Sequence, residues 1–90
     1  MNMLETLTEW ANESGTEIVF LDGLEDAIVG LATVHTQPTR VVYSYRRILD
    51  ILERDSEMTR EEADEYFAFN IECMWVGEAT PAILYDHEDF

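Results

Sequence analysis

Between Glu17 and Tyr43 the chain alternates β-branched and aromatic runs with short polar breaks, which narrows its fold more than any other feature. Glu17 to Leu21 (EIVFL) reads as a strand because such side chains fit a pleated, half-buried surface. Ala27 to His35 (AIVGLATVH) reads as a second. Its alternating sets are Ile28, Gly30, Ala32, Val34 and Ala27, Val29, Leu31, Thr33. Both sets are largely apolar, which predicts a central strand covered on both faces. Gly30 in its middle predicts close approach of a neighbouring element. Thr36-Gln37-Pro38-Thr39 is a turn, since proline fixes its own φ and disfavours helix just before it. Arg40 to Tyr43 is a third strand. Strands in succession with short connectors predict an antiparallel meander.

Helical periodicity occupies the rest. Met3, Leu4, Leu7, Trp10 and Ala11 form an apolar stripe that Ser14-Gly15 ends. Ser44 is a candidate N-cap for a helix from Tyr45 to Arg54 that turns Ile48, Leu49 and Leu52 inward. Asp55 to Met58 is a break. Thr59 with Glu62 three positions on is a capping-box pattern, and Glu61 and Glu62 suit the positive end of the helix dipole. The inward stripe of this last helix is Ala63, Tyr66, Phe67, Asn70 and Met74, with Gly77 as its left-handed terminator and Pro81 beyond. Ala82 to Tyr85 is a short final strand, and Asp86 to Phe90 a loose tail. The order αβββααβ predicts a single α+β domain over residues 1–90. Three helices should pack on a small, mainly antiparallel sheet of about four strands.

Charge sets the partners. Twenty Asp and Glu face five Arg and no Lys, for a formal net charge of −15. Such a surface repels nucleic acid and anionic membrane and attracts basic protein surfaces. Solubility, adaptation to a salty cytoplasm and imitation of the phosphate field of DNA all produce this composition. No apolar run reaches the length of a membrane span, the first ten residues lack the regions of a signal peptide, and Cys73 has no second cysteine to pair with. The expectation is a cytoplasmic protein.

Candidate chemistry begins with DGLED, where Asp22, Glu25 and Asp26 crowd one short segment. The alternating ligands and final bidentate Glu of a calcium loop are missing, and Leu24 suits packing better than coordination. Asp22 and Asp26 flank one solvated turn, so nothing separates their acidities as acid–base catalysis requires. DGLED is therefore expected to be the turn joining the first two strands. Asn70 lies on the apolar stripe, where a buried amide must be hydrogen-bonded. It is expected to tie the helix to irregular backbone near DGLED, the alternative being a contact point in a small pocket. Cys73 reads as a small core residue rather than a nucleophile served by His35 or His87. His87, in DHED, belongs to an acidic tail more readily than to a metal site. No phosphate loop, zinc spacing or nucleophile elbow occurs. The reading is a non-enzyme without cofactor or metal.

From Asp50 to Glu65 run Asp50, Glu53, Asp55, Glu57, Glu61, Glu62, Asp64 and Glu65, with Glu72 further along the last helix. A charge run on a helix is commonly a solvated face. Here the charge is sparser than that of B-DNA, yet it could fill part of a groove-shaped basic site. Glu61 to Glu72 would cover about 16 Å of helix axis.

Asp22–Gly30 (DGLEDAIVG), Arg46–Asp55 (RRILDILERD) and Met58–Tyr85 (MTREEADEYFAFNIECMWVGEATPAILY), read as a set, resemble a family of short uncharacterised proteins encoded by tailed phages and mobile elements. Shared features are an Asp-Gly turn before an apolar strand, a Glu-Glu-Ala helix running into Phe-x-Phe-Asn, and a Gly-Glu-x-Thr-Pro exit. The resemblance covers about Ile18 to Tyr85, implies a phage setting and assigns no functional residue. With the charge, it leads to the expectation of a small phage protein in the host cytoplasm. It would bind a basic host protein surface, as a DNA-mimic inhibitor of a nuclease, restriction or CRISPR component. The alternatives are a homo-oligomeric accessory protein using Trp10, Trp75 and Tyr85, and a ligand or metal function around Asp22, Asp26 and Asn70.

Overall fold

The computed structural model describes residues 3–33, 35–74 and 77–86. The elements are α1 (Met3–Ser14), a 3₁₀ turn (Glu25–Ala27), β1 (Ile28–Ala32), β2 (Arg40–Ser44), α2 (Tyr45–Ser56), α3 (Arg60–Phe67), a π turn (Ala68–Glu72) and β3 (Ala82–Leu84). Among the described residues the fold is α+β, with three α-helices and a small mixed sheet in the order β1-β2-β3. Among the described residues, no helix is long and apolar enough to cross a membrane.

The sheet corrects the meander. Glu17–Leu21 is irregular, so among the described residues the sheet has three strands rather than about four. β1 and β2 pair antiparallel, with Leu31 opposite Val41, while β3 lies parallel to β2 with Ile83 opposite Tyr43. β2 is therefore the central strand, and β1, expected to be covered on both faces, is an edge strand with only Ile28 buried. Gly30 has no close neighbour on that side: a Cβ at this position would meet nothing within 4 Å. It marks a bulge instead, where the register shifts between Ile28 and Gly30 and φ reaches +153°. Val34 lies outside the described residues.

The helices follow their caps. Ser44 Oγ accepts the Arg47 amide at 3.2 Å and opens α2. α2 ends at Ser56, two residues beyond the expected Arg54, where Glu57 adopts a left-handed conformation at φ 54°. The reciprocal Thr59–Glu62 capping box is present at the start of α3. Ile48, Leu49 and Leu52 turn inward as the periodicity predicts, joined by Tyr45 and Ile51. α1 packs against β1, and α2 packs on β2, α3 and the 3₁₀ turn. Tyr43, Phe67, Ile48 and Val41 are fully buried at the centre. On α3, Ala63 and Phe67 are buried, but Tyr66, and Asn70 in the π turn beyond, are exposed. The widened turn from Ala68 to Glu72 shifts the register of the stripe, so a constant 3.6-residue period misplaces its end. Regular helix ends well before Gly77, which serves the following turn, where Thr80 N donates to Gly77 O at 3.1 Å. The exit is fastened to the sheet by Arg40, whose guanidinium donates to Glu78 O at 2.8 Å.

Candidate functional site

The acidic run is carried by α2, the link after it, α3 and the π turn. Asp50, Asp55, Glu57, Glu61, Glu62, Asp64, Glu65 and Glu72 are exposed, and Glu53 is half-buried. Two guanidiniums lie among them. Arg60 bridges Asp50 at 2.8 Å and Glu53 at 3.2 Å. Arg54 pairs with Asp55 at 2.8 Å and reaches Asp26 at 3.6 Å. The Asp55 carboxyl is held below its ordinary range by the hydrogen bond from Arg54. Through Arg54 the acidic charge of DGLED adjoins that of α2. Among the described residues, no ion pair involves Glu57, Glu61 or Glu65.

Besides Glu62, which accepts the Thr59 amide in the capping box, two more of these carboxylates have structural partners. Tyr45 donates to Asp64 and Tyr85 to Glu72. Burial, then the adjoining carboxylate, pushes each phenol up to about 12. The rings of Tyr45 and Phe67 meet edge to face at 4.9 Å, and Tyr85 closes the cluster at 5.6 Å from Tyr45. Asp86, expected in a loose tail, is instead anchored, accepting from Ser44 Oγ and from Arg46 N. Ser44 was legible as a cap, but nothing local announced a partner 42 positions away. Residues 87–90 of the expected tail, His87 among them, and Trp75 lie outside the described residues.

DGLED folds as consecutive tight turns. Gly23 takes φ +84° and donates to Glu25 Oε1 at 3.2 Å, Leu24 N donates to Leu21 O, and Ala27 N to Leu24 O. Leu24 is buried, as its place in the loop suggested. The turn joins irregular backbone to β1 rather than strand to strand. Asn70 is not a buried tie: its amide is exposed and donates back to Tyr66 O at 3.1 Å. Cys73 is exposed too, with Sγ donating to Ala68 O at 3.1 Å, so it is not a core residue.

Asp22 and Asn70 do share one feature. Both line a groove of about 520 Å³ between the Val19–Leu24 segment, the end of α2 and the π turn. Leu24, Ile51, Leu52, Ile71 and Met74 supply its apolar wall, and Asp55 joins the polar rim. Glu25 and Asp26 do not line it. A second groove of about 360 Å³ lies between α1 and Thr16–Phe20. Among the described residues, no group of three or more His, Cys, Asp or Glu side chains is placed to hold a metal ion. Comparison with models of protein families, with curated proteins and with solved structures finds no match.

Proposed function

We propose that this chain is a small phage-type protein that binds a basic host protein, with the carboxylates of α2, α3 and the π turn as its contact groups. The observation that supports this best is the imbalance along that run. Between Asp50 and Glu72 the chain carries nine carboxylates and two basic residues, Arg54 and Arg60, and both guanidiniums already engage carboxylates of this chain. The remaining negative field is available to a partner that supplies Arg and Lys, and it steers encounter with such a surface. A DNA-binding site presents that chemistry, so the reading extends to a DNA-mimic inhibitor of a nuclease, restriction or CRISPR component in the host cytoplasm.

Capture of host proteins on the immobilised chain, at low and high salt, tests this reading. The expected outcome is retention of basic nucleic-acid-binding proteins that nucleic acid displaces and salt elutes. Paired neutralisation, Glu61→Gln with Glu65→Gln, should weaken it. Retention indifferent to salt and to these substitutions would refute the reading.

A second reading is a homo-oligomeric accessory protein. It draws on exposed apolar side chains, above all Phe69 at 77 % and Leu84 at 49 %, with Trp10 and Tyr85 less exposed. Aromatic residues are enriched at such interfaces. Light scattering over a concentration series decides it, since a strict monomer is incompatible with this reading.

A further inference from the structure

The segment from Glu17 to Leu21 carries strand-forming side chains and stands outside the sheet. Its backbone is largely open. Leu21 N donates to the Tyr43 hydroxyl at 2.7 Å, and Leu21 O accepts from Leu24 N. Among the described residues, none makes a backbone hydrogen bond to Glu17, Ile18, Val19 or Phe20. Unpaired backbone donors and acceptors on a β-prone run form a template for another strand. Val19 and Phe20 also wall both grooves, the one toward α1 and the one toward α2. A strand laid here would send alternate side chains to opposite faces.

We propose that Glu17–Leu21 completes a β-ladder with an extended, basic segment of the partner protein. Apolar side chains of that segment would enter the flanking grooves. This rests on the acidic-surface reading above and adds the mode of engagement, strand addition, in which main-chain bonds supply affinity and side-chain pockets supply selectivity. Charge complementarity selects the occupant. Exposed Glu17 and Asp22 bracket the run and favour Arg or Lys at the ends of the added strand. A second copy would instead set two chains of net charge −15 against each other.

The test uses the end-capped peptide RVRIRVR and a version with alternate backbone amides N-methylated, which keeps charge and side chains but loses main-chain donors. Binding of the first should slow hydrogen exchange at Ile18, Val19 and Phe20 by about tenfold or more. N-methylation should weaken affinity by about tenfold or more, and Val19→Pro, which removes a main-chain donor from the protein, should do the same. Equal, salt-sensitive binding of both peptides would overturn strand pairing while leaving the acidic-surface reading standing. Binding of neither at low salt would overturn both. Slowed exchange at these amides in peptide-free protein, growing with its concentration, would show a second copy as the occupant and overturn the basic partner.

Discussion

Ser44 Oγ donates to Asp86 Oδ2 while accepting the Arg47 amide, so one buried hydroxyl ties the first turn of α2 to the residues leaving β3. Asp86 Oδ1 accepts the Arg46 amide at 3.0 Å, completing a bridge between the parallel strands' C-terminal ends and the helix between them. Ser44→Ala removes the cap and the donor to Asp86 together. The expected cost is about 1–2 kcal/mol, read as a lower urea midpoint with an unchanged slope. Asp86→Ala should cost less in combination with Ser44→Ala than alone, because the two changes break one network.

The same carboxylate sets an acid limb. Burial pushes Asp86 up, but the Arg46 amide and the Ser44 hydroxyl more than offset it and leave the group below its ordinary range. A folded-state value lower than the unfolded one contributes stability above the unfolded value, about 3.9, that is lost as pH falls through the folded value. Asp86→Asn should therefore flatten the stability profile below about pH 4. A limb of unchanged steepness would remove Asp86 from this role.

Tyr43 is fully buried, and its hydroxyl accepts the Leu21 amide at 2.7 Å. That bond fixes the end of the irregular Glu17–Leu21 run against the central strand. Tyr43→Phe keeps the ring but orphans a buried donor, at an expected cost of about 1–3 kcal/mol. Hydrogen exchange at Leu21 should quicken by more than the global loss of stability accounts for.

This bond also explains where sequence reading stopped. Local signals placed the starts of α2 and α3, because Ser44 and the Thr59–Glu62 box act within one turn of chain. They failed at Glu17–Leu21, whose strand propensity is unmistakable but whose amide at Leu21 goes to a side chain of β2. Nothing local tells a β-prone run whether a neighbouring strand will pair with it. The final strand was legible in outline, but its parallel pairing depends on the path through α2 and α3. At the candidate site, the acidic run could be read directly, whereas the groove joining Asp22 to Asn70 needed the π turn that no period announces.

The aromatic cluster predicts an alkaline limb. Tyr45 and Tyr85 are each pushed up to about 12, by burial first and then by Asp64 and Glu72. A raised folded-state value means stability that is whole below the unfolded value, about 10, and is lost as pH climbs toward the folded one. Tyr45→Phe should reduce the slope of stability between about pH 10 and 12, while keeping the edge-to-face contact with Phe67. An identical slope in the variant would show that other groups govern that limb.

Arg60 offers the clearest reading of self-repulsion. Its guanidinium reaches Asp50 and Glu53 from an exposed position at the start of α3, so as an isolated ion pair it would contribute little. In a chain of net charge −15, however, its removal also leaves two more carboxylates unbalanced in an already negative field. Arg60→Gln should therefore cost about 0.5–1 kcal/mol at low salt and approach zero as the Debye length shrinks toward about 3 Å at molar salt. Salt should stabilise the unsubstituted protein in the same direction, because screening relaxes the repulsion that compaction concentrates. Thermal melts of both proteins across a salt series check this, with convergence at high salt as the expected result. Parallel curves would mean that Arg60 acts through packing of its stem rather than through charge.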